Sequence, residues 1–99
     1  MSVRAEWDEK KNTANIAKHS IDFRDAIRIF EEPESVIELA SPRKGEERVL
    51  AFGLLAGRVV AVAYTMRRSS RRIISARKAN SRERQAYEKT KVKREKDAN

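Results

Sequence analysis

The sequence predicts an α+β fold. Two N-terminal helices precede an antiparallel meander of three or four strands, and a C-terminal helix closes the chain. Three observations predict this order. Phe23, Ala26, Ile27 and Phe30 recur at helical spacing. Past Pro33 the apolar period drops to two and stays there as far as Arg77. Asn80 followed by Glu83 then opens a last helical stretch with a capping-box pattern.

Each element has its own reason. Residues 3–7 alternate weakly and read as a short edge strand or an extended arm. Asp8 is a suitable N-cap for a helix over 9–19, where Ala14, Ile16 and Ala17 form a thin apolar stripe. Ser20-Ile21 leaves only a tight elbow before Asp22 caps a second helix, over 22–31. Pro33 ends that helix, because it lacks an N–H and its ring blocks the ladder. Strands are expected at 36–39, 47–55, 58–66 and 72–77, with a polar loop at 41–46. Ala56-Gly57 is short enough for a hairpin turn, and Arg67–Ser70 forms a basic one. The last helix is expected over 81–94, with 95–99 frayed.

The 99 residues allow one core, so 1–99 is expected to form a single domain. With no cysteine and one histidine, disulfides and a structural zinc site are not expected, nor is any cofactor. The longest apolar run, Val59–Tyr64, is far short of the roughly 20 residues that span a bilayer. No basic-then-apolar leader opens the chain, which points to the cytoplasm.

The charge is strongly divided. Residues 1–66 hold 10 Lys/Arg against 11 Asp/Glu, whereas residues 67–99 hold 13 against 4. The whole net charge of +8 therefore lies in the last third, which suits a polyanion such as nucleic acid or an acidic protein partner.

Side-chain size also alternates. Val60, Val62, Tyr64 and Met66 are large, as are Leu50, Phe52 and Leu54, and these are expected to close on helix 22–31 as the core. The smaller set, Val49, Ala51, Val59, Ala61 and Ala63, is expected to form an open apolar floor running into Arg67. With Ile74 and Ala76 inward, Ser75 and Arg77 would share that open side. The competing reading is a second helix packed on the small residues.

Several chemistries lack their residues. Gly45, Gly53 and Gly57 match no phosphate loop, and no nucleophile–histidine arrangement can be assembled. Glu31-Glu32 and Glu46-Glu47 are adjacent in sequence, so their carboxylates diverge. An arginine-rich set with one histidine, a few carboxylates and a tyrosine remains. It suits a phosphodiester, since arginine binds phosphate bidentately and stabilises charge in the transition state.

Trp7-Asp8-Glu9-Lys10 and Asn15-Ile16-Ala17-Lys18-His19-Ser20-Ile21-Asp22-Phe23 resemble the WDxxK…NxxKHGxxF opening of the BrnT family of bacterial toxins. Gly45-Glu46-Glu47-Arg48 is similar to its GExR segment, and Tyr64-Thr65-Met66-Arg67 to its YTxR segment. Arg72–Arg77 with Arg82-Glu83-Arg84 and Tyr87-Glu88 resembles its RIISAR…RER..YE ending. The motifs follow the family's order across residues 5–88. Ser20 departs from the family glycine, which favours a left-handed helix stop, so a local cost in stability is expected there. The resemblance implies a RelE-like fold and a ribonuclease toxin of a type II toxin–antitoxin pair, acting on RNA. It also implies a BrnA-like antitoxin, a DNA-binding repressor, with operator DNA reached only through it.

Under this resemblance, Arg67 and Arg77 are the first choices for phosphate binding and transition-state charge. Exposed, ion-paired arginines are the competing reading. Glu47, placed by parity on the open side, is the candidate proton acceptor, and His19, at a helix end that favours imidazolium, the candidate acid. Arg48, placed on the core side, joins Lys18, Arg72 and Arg82 as candidate RNA contacts. Cleavage is expected to need no metal and to inhibit translation. A module that grips nucleic acid without cutting it, or a structural partner using the basic last third, remains the alternative. An antitoxin is expected to occlude the open face and its arginine rim.

Overall fold

A computed structural model describes residues 4–97; Val3 of the expected edge strand and residues 98–99 lie outside the described residues. The chain runs β1 (Ala5–Glu6), α1 (Glu9–His19), α2 (Phe23–Ala26), β2 (Ile37–Ala40), β3 (Val49–Leu55), β4 (Arg58–Arg67), β5 (Ser70–Lys78) and α3 (Ser81–Asp97). Asp8 caps α1 as the sequence predicts, its side chain accepting from the Lys10 N–H at 2.8 Å. Asn80 and Glu83 form the reciprocal capping box of α3, at 2.8 and 2.9 Å. The last helix runs on to Asp97, past the expected end at 94.

The sheet is five-stranded, in the order β1-β5-β4-β3-β2. The expected antiparallel meander has four strands, and the expected edge strand at 3–7 joins it over Ala5–Glu6, which makes the sheet mixed rather than wholly antiparallel. β2 to β5 are antiparallel, but β1 pairs in parallel with β5 through Ala5↔Arg71 and Glu6↔Arg72. The Arg71 N–H donates to the Arg4 carbonyl at 3.0 Å, and Arg72 pairs with Glu6 at 2.9 Å. Turn chemistry cannot announce this pairing, because most of the chain separates the two strands.

The second helix is also shorter than its pattern suggested. Only Phe23–Ala26 is α-helical, and Ile27–Glu31 continues as a 3₁₀ helix. The tighter winding turns Phe23, Ala26, Ile29 and Phe30 into the core and leaves Ile27 half-buried. Ile29 comes down directly onto β3. A Cβ at Gly53 would lie 2.7 Å from the Ile29 Cβ, so that approach requires glycine.

Cross-strand pairs share a face, and they overturn the expected core. Val49 pairs with Tyr64, Ala51 with Val62 and Gly53 with Val60. Small residues of β3 thus lie beside large residues of β4, under α2. Leu50, Phe52 and Leu54 face the other way with Ala63, Ala61 and Val59. No open floor of the five small residues exists: Val49 and Ala51 belong to the α2 side, and Val59 and Ala61 are buried with Phe52, Ala79 and Tyr87 beneath α3. On β5, Ala63 pairs with Ser75 and Tyr64 with Ile73, so Ile74 is bulged out. Ile73, not Ile74, therefore joins Ala76 in the core.

Two buried asparagines tie α1 to this frame. The Asn15 carboxamide donates to the carbonyls of Ile21 and Ala76, both at 2.9 Å, and accepts from the Ala76 N–H at 3.1 Å. It thus occupies the outer edge of β5 where β1 has ended. Asn12 accepts from the Phe23 N–H at 2.8 Å and donates to Asp22 at 3.0 Å. Ser20 takes the left-handed helix-stop conformation at φ 59°, its N–H bonded to the Ile16 carbonyl at 2.8 Å.

Asn15→Leu should cost about 3 kcal/mol in urea unfolding, because three buried backbone groups lose their partner. Ser20→Gly should raise stability by about 0.5–1 kcal/mol in the same measurement, by relieving the left-handed strain of a side chain.

Candidate functional site

The sheet face under α3 is only half covered. α3 crosses the end where β2 and β4 begin, held by Tyr87, its one buried residue. The Tyr87 hydroxyl donates to the Ser35 carbonyl at 2.6 Å, and Arg94 donates to the Val36 carbonyl at 2.8 Å. The opposite half of that face stays bare. By cross-strand pairing it carries Leu39, Leu50, Ala63, Thr65, Arg67 and Arg72.

Arg67 ends β4 on this bare half, exposed and without an ion-pair partner among the described residues. Arg72 is beside it, its guanidinium on Glu6. Glu47 and Arg48 lie just before β3, outside its paired residues. Carrying the alternation back from Leu50 favours Arg48 on this face and Glu47 on the other, the reverse of the expected sides, because β3 turns Leu50 rather than Val49 toward α3. Arg48 is steadied by Glu46 at 3.3 Å, and Thr65 bonds the Glu47 carbonyl at 2.7 Å. Arg82 is exposed in the first turn of α3. Lys18 and His19 lie at the end of α1, beyond Asn15, and neither is hydrogen-bonded or ion-paired to the arginines. The structure thus places Arg67 and Arg72 on one face, with Arg48 just before β3, and Lys18 and His19 on α1.

Arg77 sits at the border between bare and covered halves, and its fork is occupied. Its two terminal nitrogens meet both Glu83 oxygens, at 2.8 and 2.9 Å. The Arg77 side chain is 35% exposed and that of Glu83 20%. The hydrogen bond from Arg77 holds the Glu83 carboxyl below its ordinary value, and Glu83 in turn holds the guanidinium above its own. The ion-paired reading of Arg77 is the one the geometry shows. Glu83 was visible in the sequence only as a cap, and Glu6 had no signal at all.

Tyr64 and Arg71 belong to the other face. Burial raises the Tyr64 phenol, and its hydroxyl donates to Glu38. The Arg71 guanidinium carbon lies 4.1 Å from the centre of the Phe30 ring, a cation–π stack that also reaches Tyr64 at 5.4 Å. Chemically, the bare half offers fixed cations over a surface of modest side chains, an arrangement fitted to a phosphate-bearing strand. No helix among the described residues is long and apolar enough to cross a membrane.

Over residues 7–83 the chain matches the family described as the ribonuclease toxin, BrnT, of type II toxin–antitoxin systems. No curated protein matches it. The matched stretch contains every arginine of the bare half and ends on Glu83.

A lowered carboxyl makes stability depend on pH with a definite sign. The Glu83 contact contributes fully above the group's ordinary 4.5 and fades as pH falls through the lowered folded value. Melting curves of the wild type and Glu83→Gln should therefore be separated at neutral pH and converge in acid, below the usual carboxylate range. Asp22, lowered mainly by the Arg24 N–H, is common to both proteins and cancels. A gap that persists undiminished to about pH 2 would contradict this account.

Proposed function

The chain belongs to the BrnT family of type II ribonuclease toxins, and we propose that it cuts RNA on the bare half of the sheet, without a metal. The observation that carries this reading is the placing of Arg67 and Arg72 on one uncovered face, with Arg67 unpaired. A strand of RNA laid there meets cations already fixed by β-structure, so little reorganisation is needed when charge builds on phosphorus.

In the reaction, a 2′-oxygen attacks the neighbouring phosphorus and the bond to the 5′-oxygen breaks. The products are a 2′,3′-cyclic phosphate and a 5′-hydroxyl. The proton lost by the 2′-hydroxyl passes to Glu46, held against Arg48 at 3.3 Å, rather than to the expected Glu47, which alternation turns to the other face. The 5′-oxygen gains one from His19. Arg67 takes the developing charge directly. Arg77, through Glu83, holds the first turn of α3 beside the strand and adds positive charge at the border of the bare half. Lys18 and Arg82 contact phosphates away from the cut.

The biological reading follows from the activity. RNA cleavage in the cytoplasm stops translation, and a BrnA-like antitoxin that represses through operator DNA neutralises the toxin. A second reading, binding without cutting, is favoured by one observation: His19 stands at the end of α1, on a different element from the strands that carry Arg67 and Arg72.

Purified protein incubated with RNA in chelator decides between them. Cleavage is expected, and His19→Gln should slow it if the imidazole is the acid. Arg67→Ala should reduce the rate by about 100-fold. Its melting temperature should be unchanged, since an unpaired exposed arginine contributes little to stability. Arg77→Ala should lose both rate and stability. Near wild-type cutting by Arg67→Ala would move the site elsewhere.

A further inference from the structure

The second charged surface of the molecule lies on the far side of α3. There, between the β3–β4 hairpin and α3, the chain leaves a cleft of about 550 Å³, within the range of ligand and peptide pockets. Its floor is apolar, made by Val59, Tyr87 and Leu54, the last 38% exposed. Its rim is cationic, with Arg58, Lys78, Arg84 and Lys91. Glu88 is the one carboxylate in the lining. Arg84 bonds the Ala79 carbonyl at 3.2 Å, while Arg58, Lys78 and Lys91 have no ion-pair partner among the described residues.

We infer that this cleft receives an acidic segment of the antitoxin, one that carries an apolar side chain among its carboxylates. Four cations against one carboxylate call for an anion, and two features select this occupant over RNA. The exposed floor is aliphatic, and the Tyr87 ring is buried with its hydroxyl committed to Ser35, so no aromatic face is offered to a base. Finally, α3 stands between the cleft and the arginines of the bare half, so an RNA strand lying along the sheet cannot occupy both without climbing over a helix. An aspartate- or glutamate-rich peptide with one leucine-like residue meets the rim with its carboxylates and the floor with its apolar group.

This inference rests on the toxin reading for the existence of the partner, but its test does not depend on cleavage. Affinity for the purified cognate antitoxin is measured by titration calorimetry for the intact chain, for Arg58→Glu/Lys91→Glu and for Leu54→Ser. The double variant is expected to bind at least about tenfold more weakly, with a flatter salt dependence, and Leu54→Ser to bind more weakly at all salt concentrations. Binding of a single-stranded RNA oligonucleotide should be the same for all three proteins. Unchanged antitoxin affinity in both variants would overturn the proposal. So would a parallel loss of RNA binding, which would make the cleft a substrate subsite instead. A wild-type protein that fails to cut RNA removes the proposed activity and leaves the affinity comparison intact.

Discussion

The contact on which the functional layout depends is the fork between Arg77 and Glu83. α3 buries only Tyr87, so hydrophobic burial cannot by itself dictate where a helix of 17 residues lies. Polar fastenings do so instead. Glu83 accepts from the Asn80 N–H and from both ends of the Arg77 guanidinium, so one carboxylate both caps the helix and pins its first turn to β5. The hydroxyl of Tyr87 and the guanidinium of Arg94 then fasten the helix to the segment before β2. That crossing divides one sheet face into a bare half and a cleft.

The opposite layer is fastened by the same kind of device. Asn15 presents its amide to Ala76 as another strand would, and Asn12 and Asp22 organise the elbow and the start of α2. Because β1 has only two residues, β5 would otherwise expose backbone groups along its edge where α1 lies. Each polar atom of the two buried carboxamides has a hydrogen-bond partner, as groups withdrawn from water must. In a chain with nearly as many charged as hydrophobic residues, directional polar contacts fix positions that a small core leaves open.

Local signals in the sequence were readable and long-range ones were not. The caps at Asp8, Asp22 and Asn80, the bounds of α1 and the hairpin at Ala56-Gly57 all rest on neighbours within a few residues, and the structure keeps each of them. Both turn residues have positive φ, at 51° and 79°, as a tight hairpin demands. The face assignments failed on β3 because alternation along one strand does not say which face is buried. Only the pairing with β4 does. The edge strand at the N-terminus was legible, but its parallel pairing with β5 and the bulge at Ile74 were not, for the same reason. For the candidate site, the arginines at strand ends were legible, and so was the family. Their partners Glu6 and Glu83 were not, since each meets its arginine through tertiary structure.

The division of one face by α3 changes what the charge asymmetry means. Read from sequence, an excess of cations in the last third suggests a single surface for which RNA and an acidic partner must compete. In the fold that excess is distributed over two places. Arg67 and Arg72 lie on the bare half, whereas Lys78, Arg84 and Lys91 join Arg58 around the cleft beyond the helix. Two separated cationic surfaces permit simultaneous occupation, so under the proposed reading holding the partner and blocking the RNA face are distinct tasks. A partner anchored in the cleft reaches the arginines only by passing over α3. The exposed side of that helix is itself basic, so an acidic segment is attracted along the whole path. Affinity would then be set at the cleft, and neutralisation by whatever the same segment lays across Arg67.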